Sequence, residues 1–191
     1  MIKVAITGNI ASGKSTVQKI LEYNGYKVLD TDIVGHEILN SSEEIKLAFK
    51  DYDVFDEANN ISREKLGKLV FSNPALKTKL EKISHPIIKN KIIEFFEIHK
   101  TESVVFVGIP LLFEANMQDM FDKIILIYTD DEIRKKRLCS RNNYTDEYAE
   151  LRINSQISQD EKIKTSNYVV YNNKDIDTLS EQIRKIISAI L

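Results

Sequence analysis

The sequence predicts an α/β protein: a five-stranded parallel sheet flanked by helices, with a long helical insertion after the second strand and a helical lid late in the chain. Three observations carry this prediction. Short, continuously apolar runs rich in β-branched residues recur at Ile2–Thr7, 26–29, 103–109, Lys123–Tyr128 and Tyr168–Tyr171, the pattern of strands buried on both faces. Amphipathic segments separate them, and a strand, a helix and a strand within the first 30 or so residues make a parallel βαβ unit with a right-handed crossover. The first run also ends in GNIASGKST, residues 8–16, where a buried strand meets a helix.

Each element follows in order. After that turn, Val17, Ile20 and Leu21 fall at i, i+3 and i+4, which predicts a helix, and Gly25 suits its C-terminal cap. The second strand ends at Asp30-Thr31-Asp32. Residues 33–99 read mostly helical, with Leu66, Leu69, Val70, Leu76 and Leu80 as apolar positions among Glu- and Lys-rich faces. A charged helix is expected at 131–141, another from about 146 to 164, and a terminal amphipathic helix at 176–191. The organisation is one domain with its core at about 1–32, 100–130 and 165–191, a helical insert at about 33–99 and a lid at about 131–164.

Composition narrows the partners. A chain of 191 residues, 42% hydrophobic and 29% charged, has the make-up of an ordinary soluble domain. A net charge of -2 provides no global field for nucleic acid or an anionic membrane, so any anion site is local. No apolar stretch approaches the roughly 20 residues needed to cross a bilayer. Met1 leads straight into a strand rather than a secretory leader. The one cysteine, Cys139, excludes an internal disulfide and fits a reducing cytoplasm; with three scattered histidines it forms no transition-metal cluster. The sequence sets no oligomeric state, and a monomer satisfies it.

Residues 8–15 satisfy G-x-x-x-x-G-K-[ST] in full. Gly8 and Gly13 permit positive φ and remove Cβ atoms, so backbone amides from Asn9, Ile10, Ala11 and Ser12 onward can line a nest for phosphate. The helix beginning near Lys14 aims its N-terminal amides and dipole at the same anion. Lys14 supplies a charge for the β- and γ-phosphates of a nucleoside triphosphate, Ser15 a ligand for Mg²⁺, and Thr16 closes the motif.

Asp30 and Asp32 fall at the carboxyl end of the second strand, on the edge where open parallel sheets collect ligands. An acid there takes a proton from an attacking hydroxyl or holds metal-bound water; otherwise the pair is a solvated turn. Arg134, Arg137 and Arg141 fall at i, i+3 and i+7 on one helical face, and Arg152 and Gln156 repeat the i, i+4 spacing on the next helix. Such a face is either solvated or a cover that brings guanidiniums to a transferring phosphoryl group. His85 stands before Pro86, which is read as opening a helix at its first turn.

Taken together, ITGNIASGKST, VLDTDIVGHEIL, LEKISHP, IPLLFE, RKKRLCSRN, LRINSQIS and YVVYNN resemble the dephospho-CoA kinase family over nearly the whole chain. The phosphate loop is shared by many proteins; the D-x-D after strand two, the HP and the PLLFE after strand three are far more selective. The resemblance implies ATP-dependent phosphorylation of the ribose 3′-hydroxyl of dephospho-CoA, with Mg²⁺, to give coenzyme A and ADP. It implies that Lys14 and its loop hold ATP, that Asp32 is the base, and that His85, Pro86, Pro110 and Leu111 belong to the acceptor side. It also implies that Arg137 and Arg141 form the lid, Arg152 and Gln156 its returning helix, and that Asn172 sits near the nucleotide base. Asn9 and Ala11 stand where the family has glycines. The third strand, VVFVG, carries no acid, which leaves Mg²⁺ to Ser15, waters, phosphates and Asp32.

Two alternatives fit the phosphate loop by itself. Another small kinase of this type, acting on a nucleoside monophosphate or a shikimate-like acceptor, would dispense with the HP and PLLFE pair. A nucleotide-dependent switch would carry an N-K-x-D guanine signature, which is missing, and would have no use for so long an insert.

Overall fold

The structure, a computed structural model, describes residues 1–191. Five strands, β1 (Ile2–Thr7), β2 (Lys27–Asp30), β3 (Val104–Gly108), β4 (Lys123–Tyr128) and β5 (Tyr168–Tyr171), form one sheet in the order β2-β3-β1-β4-β5. Every pairing is parallel, as continuous apolar runs demand: Val4, Ala5 and Ile6 of β1 and Val105, Phe106 and Val107 of β3 are all fully buried. Strands two and three each lie within a residue of expectation. The chain crosses to opposite sides of β1 after β3, so the loop following β1 opens at the point where the strand order reverses.

Helix α1 (Lys14–Tyr23) and the last helix, α9 (Ile176–Ile190), cover one face of the sheet. Val17 and Leu21 of α1 and Leu179, Ile183 and Ile187 of α9 pack with Val4, Ile6, Phe106 and Ile127. Helix α1 stops where Gly25 predicts: Gly25 takes φ 85°, its amide bonds to Glu22 O and Tyr26 N to Leu21 O, the paired bonds of a Schellman end.

The chain packs as two units, Met1–Asp30 with Ile98–Leu191, and Thr31–Glu97. The second unit holds α2 (Thr31–Ser41), α3 (Glu43–Ala48), α4 (Arg63–Ser72) and all but the last residue of α5 (Pro74–Ile98), with an isolated antiparallel bridge between Phe55 and Ile61. It begins at Thr31, two residues before the expected insert, so Asp32 falls in the helical unit. The expected lid residues belong to the sheet unit, as α6 (Asp131–Asn142), α7 (Asp146–Asn154) and α8 (Gln159–Thr165).

Two helical expectations are corrected. Pro86 does not open a helix; it lies inside α5. The opening proline is Pro74, preceded by Asn73, whose side chain accepts from the amides of Ala75 and Leu76. The segment 146–164 is not one helix. It breaks after Asn154, and Ser158 starts α8 afresh by accepting from Glu161 N, a Ser-x-x-Glu start that the apolar spacing hid.

Candidate active site

Between β1 and α1 the backbone turns back on itself. Ser12 N donates to Asn9 O at 3.0 Å, and Ala11 and Gly13 take φ of 61° and 94°. Left-handed residues alternating with right-handed ones make the concave run of amides that cradles an anion. A helix N-terminus carries the positive end of the helix dipole, so the start of α1 beside this turn favours the same anion. Gly13 is obligatory twice over: its φ is positive, and a Cβ there would stand 2.1 Å from Asn172 Nδ2.

Side chains from distant parts of the sheet unit hold this loop. Asn172 Nδ2 donates to Ser12 O at 2.7 Å, and Thr129 Oγ1 donates to the same carbonyl at 2.9 Å. Arg137 Nη1 donates to Ala11 O at 3.2 Å and Nη2 to Asn172 O at 3.1 Å. Gln156 Oε1 accepts from Ile10 N at 2.7 Å, and Asn9 Nδ2 donates to Ile157 O at 2.9 Å. Ile10 and Ala11 also pack against the small apolar core of α6 and α7, Leu138, Ala149 and Ile153. Gln159 clamps the end of β4, its amide bonding both to Thr129 N and to Thr129 O.

Lys14 is the charge at the centre. It is 8% exposed, with Nζ 3.2 Å from Gln18 Oε1 and 3.4 Å from Asp30 Oδ1. A buried ammonium is tolerable only with such partners. Asp30 therefore has a definite place: it ends β2, directly opposite Gly108 of β3, as counter-ion to Lys14. Ser15 is exposed beside Lys14 on the first turn of α1, and Thr16 bonds back to Gly13 O.

The three arginines of α6 divide. Arg134 is 2% exposed and bound to Asp131, so on the shared face it is buried rather than solvated. Arg137 reaches the loop, and burial draws its guanidinium below the usual value. Arg141 is exposed, with Nε 2.9 Å from Asn142 Oδ1. Arg152 is half-buried on α7, and Gln156 lies in the turn between α7 and α8.

On the expected acceptor side, Thr7 Oγ1 donates to Pro110 O at 3.4 Å, and Leu111 is exposed. The same turn is pinned by Glu114, whose Oε1 lies 2.8 Å from the fully buried Lys162 of α8. In the helical unit Asp32 is exposed in the first turn of α2. His85 is half-buried and Pro86 exposed on α5. Burial pulls the His85 pKa down, Glu81 opposes this, and Lys89 adds to it. No group of three or more His, Cys, Asp or Glu is placed to hold a metal ion.

The sequence reading missed Gln18, Thr129, Gln159 and Lys162. Gln18 was within reach, four residues after Lys14 on a helix. The others carry no local signal.

A parallel sheet of this order, with a phosphate loop on its central strand and a buried lysine at the loop's end, defines a P-loop kinase. The chain belongs to the dephospho-CoA kinase family, whose model matches residues 2–178. It is 36% identical to the dephospho-CoA kinase of Listeria monocytogenes over 185 residues, covering 94% of this chain and 92% of that one. The solved dephospho-CoA kinase of Campylobacter jejuni superposes with a TM-score of 0.74 at 33% identity, covering 98% of this chain and 96% of that one. A solved Thermus thermophilus protein superposes with a TM-score of 0.87, also at 33% identity, covering 100% and 97%.

Proposed function

We infer that this chain transfers the γ-phosphoryl group of ATP to the ribose 3′-hydroxyl of dephospho-CoA, giving coenzyme A and ADP. The observation that carries the inference is the buried Lys14, held by Asp30 and Gln18 at the mouth of a complete phosphate loop, in a chain of this family. The loop amides and the N-terminus of α1 receive the phosphates, and Lys14 offsets charge as the β–γ bridging bond breaks. Asp32 takes the proton of the 3′-hydroxyl while that oxygen forms its bond to the γ-phosphorus.

Arg137 and Arg141 cover the phosphates, Asn172 acts at the nucleotide side, and Arg152 and Gln156 complete the returning segment. The helical unit, with His85 and Pro86, recognises the acceptor together with Pro110 and Leu111. The exposed Ser15 hydroxyl, a hard oxygen donor on the first helical turn, fits a Mg²⁺ ligand. With no acidic cluster to enclose the ion, it would keep the nucleotide's phosphates and waters as its other ligands, and it would supply charge neutralisation. No helix is long and apolar enough to cross a membrane; a cytoplasmic location, where ATP is supplied, suits the chemistry.

The test is ADP release with dephospho-CoA, AMP and adenosine as acceptors at fixed MgATP. Remote binding of the pantetheine arm orients the hydroxyl, so kcat as well as KM should favour dephospho-CoA. Equal kcat for AMP would refute the assignment.

A further inference from the structure

Gln18 is 3% exposed and lies one turn after Lys14 on α1. The lysine ammonium only donates, so the glutamine must present Oε1 to it, at 3.2 Å. That orientation leaves Gln18 Nε2 buried with no hydrogen-bond partner. A buried amide with half its polar capacity unmet costs stability relative to an apolar side chain of the same shape. Folding accounts for half of this glutamine: its carbonyl meets the buried Lys14 ammonium, while Nε2 is left unmet.

The opposite side of the amide is fitted just as closely. A Cβ at Gly108 would come 2.3 Å from Gln18 Nε2 and 2.7 Å from its Cδ. Gly108 is the residue of β3 paired with Asp30, so the strand that aligns the counter-ion also leaves the space into which the glutamine amide fits. Lys14 is thus bracketed by a carboxylate on β2 and by an amide whose rotamer is set by the missing side chain of β3.

We propose that Gln18 is a positioning residue for phosphoryl transfer: its side-chain carbonyl aims the Lys14 ammonium, and the absence of a side chain at Gly108 keeps the Gln18 amide in the rotamer that does so. The proposal rests on the reading of Lys14 as the phosphate-directed charge, and it predicts an unusual combination. Gln18→Met, of similar shape but without the acceptor, should melt close to wild type, because the lost partner of Lys14 and the relieved Nε2 offset each other, yet lose about five- to tenfold in kcat with KM for ATP little changed. Gly108→Ala should cause a similar loss in the natural background by displacing the amide, and little further loss beside Gln18→Ala, where the space is free.

The measurements are thermal melting, steady-state kinetics for MgATP with dephospho-CoA, and the Lys14 ammonium resonance of ¹⁵N-lysine-labelled protein. Loss or broadening of that resonance in Gln18→Met supports the proposal whatever the acceptor, so a wrong acceptor assignment, seen as an inactive wild type, is distinguished from a wrong role for Gln18. An unchanged Lys14 resonance in Gln18→Met would overturn it. So would a Gly108→Ala loss of the same size in both backgrounds.

Discussion

In the sheet unit the phosphate loop is shaped by side chains from up to 160 residues away, among them Asn172, Thr129, Arg137 and Gln156. In the helical unit Asp32, His85 and Pro86 ride on α2 and α5, and the contacts are of shorter range, such as Lys79 Nζ of α5 to Ala48 O of α3, 31 residues apart. With the substrates divided between the regions as proposed, the difference follows from what each would recognise. Phosphate is gripped by backbone amides, whose geometry must be imposed from outside the loop. A hydroxylated acceptor is recognised by side chains, which a helix presents without further support.

The comparison predicts that substitutions in the helical unit change acceptor chemistry and spare ATP, while those around the loop do the reverse. The largest effect should come from Asp32→Asn, which preserves shape and removes basicity. We expect kcat to fall by about 10²–10⁴ with ATP affinity intact. Weakened binding of MgATP instead would assign Asp32 to the metal and blur the division between the units.

Lys14→Ala should lower kcat by about 10²–10³, because its charge matters most as the phosphoryl group moves. The side chain of Asp30 is 22% exposed and rehydrates, whereas the buried Gln18 loses the partner of its Oε1, so a modest fall in melting temperature is expected. Near-normal turnover by the folded variant would remove the lysine from the chemistry.

Asn172→Ala sharpens the comparison from the loop side. Ser12 O keeps the Thr129 hydroxyl, so the loss is one hydrogen bond rather than an orphaned carbonyl. A cost of about 1 kcal/mol, a melting temperature lower by roughly 2–4 °C, and a KM for ATP raised several-fold are expected, with KM for the acceptor unchanged.

The smallest effect concerns His85. Burial lowers its folded-state pKa, so the unfolded chain binds a proton that the folded chain resists. Its contribution to stability is complete above the ordinary histidine range near 6.5 and is lost as pH falls through the depressed value. Urea titrations at pH 7.5 and 5.5 should show His85→Gln losing less stability on acidification than wild type. Parallel losses would mean that His85 titrates as if in water.

The strands were legible because residues buried on both faces, such as Val104, Val105, Phe106 and Val107, write uninterrupted apolar runs. The phosphate loop was legible because its spacing is local. For Arg134 an i, i+3, i+7 pattern gives a face but not the depth at which the residue lies; one turn separates its buried guanidinium, bound to the exposed Asp131, from a reach to Ala11 O. Pro86 was misread because proline's rule concerns where a helix starts, and Pro74 had already met it. The braces of the loop were illegible for a simpler reason. Nothing near Ser12 in the chain announces that Asn172 will reach it.

That distance has a consequence for biosynthesis. The loop leaves the ribosome early, but its brace at Asn172 is made 160 residues later. At elongation rates of roughly 5–20 residues per second, this interval lasts about 8–32 s. During it the nascent chain carries a nucleotide-binding motif that lacks the contacts giving it shape. ATP can therefore stabilise the finished protein but not guide the early folding of its own binding loop.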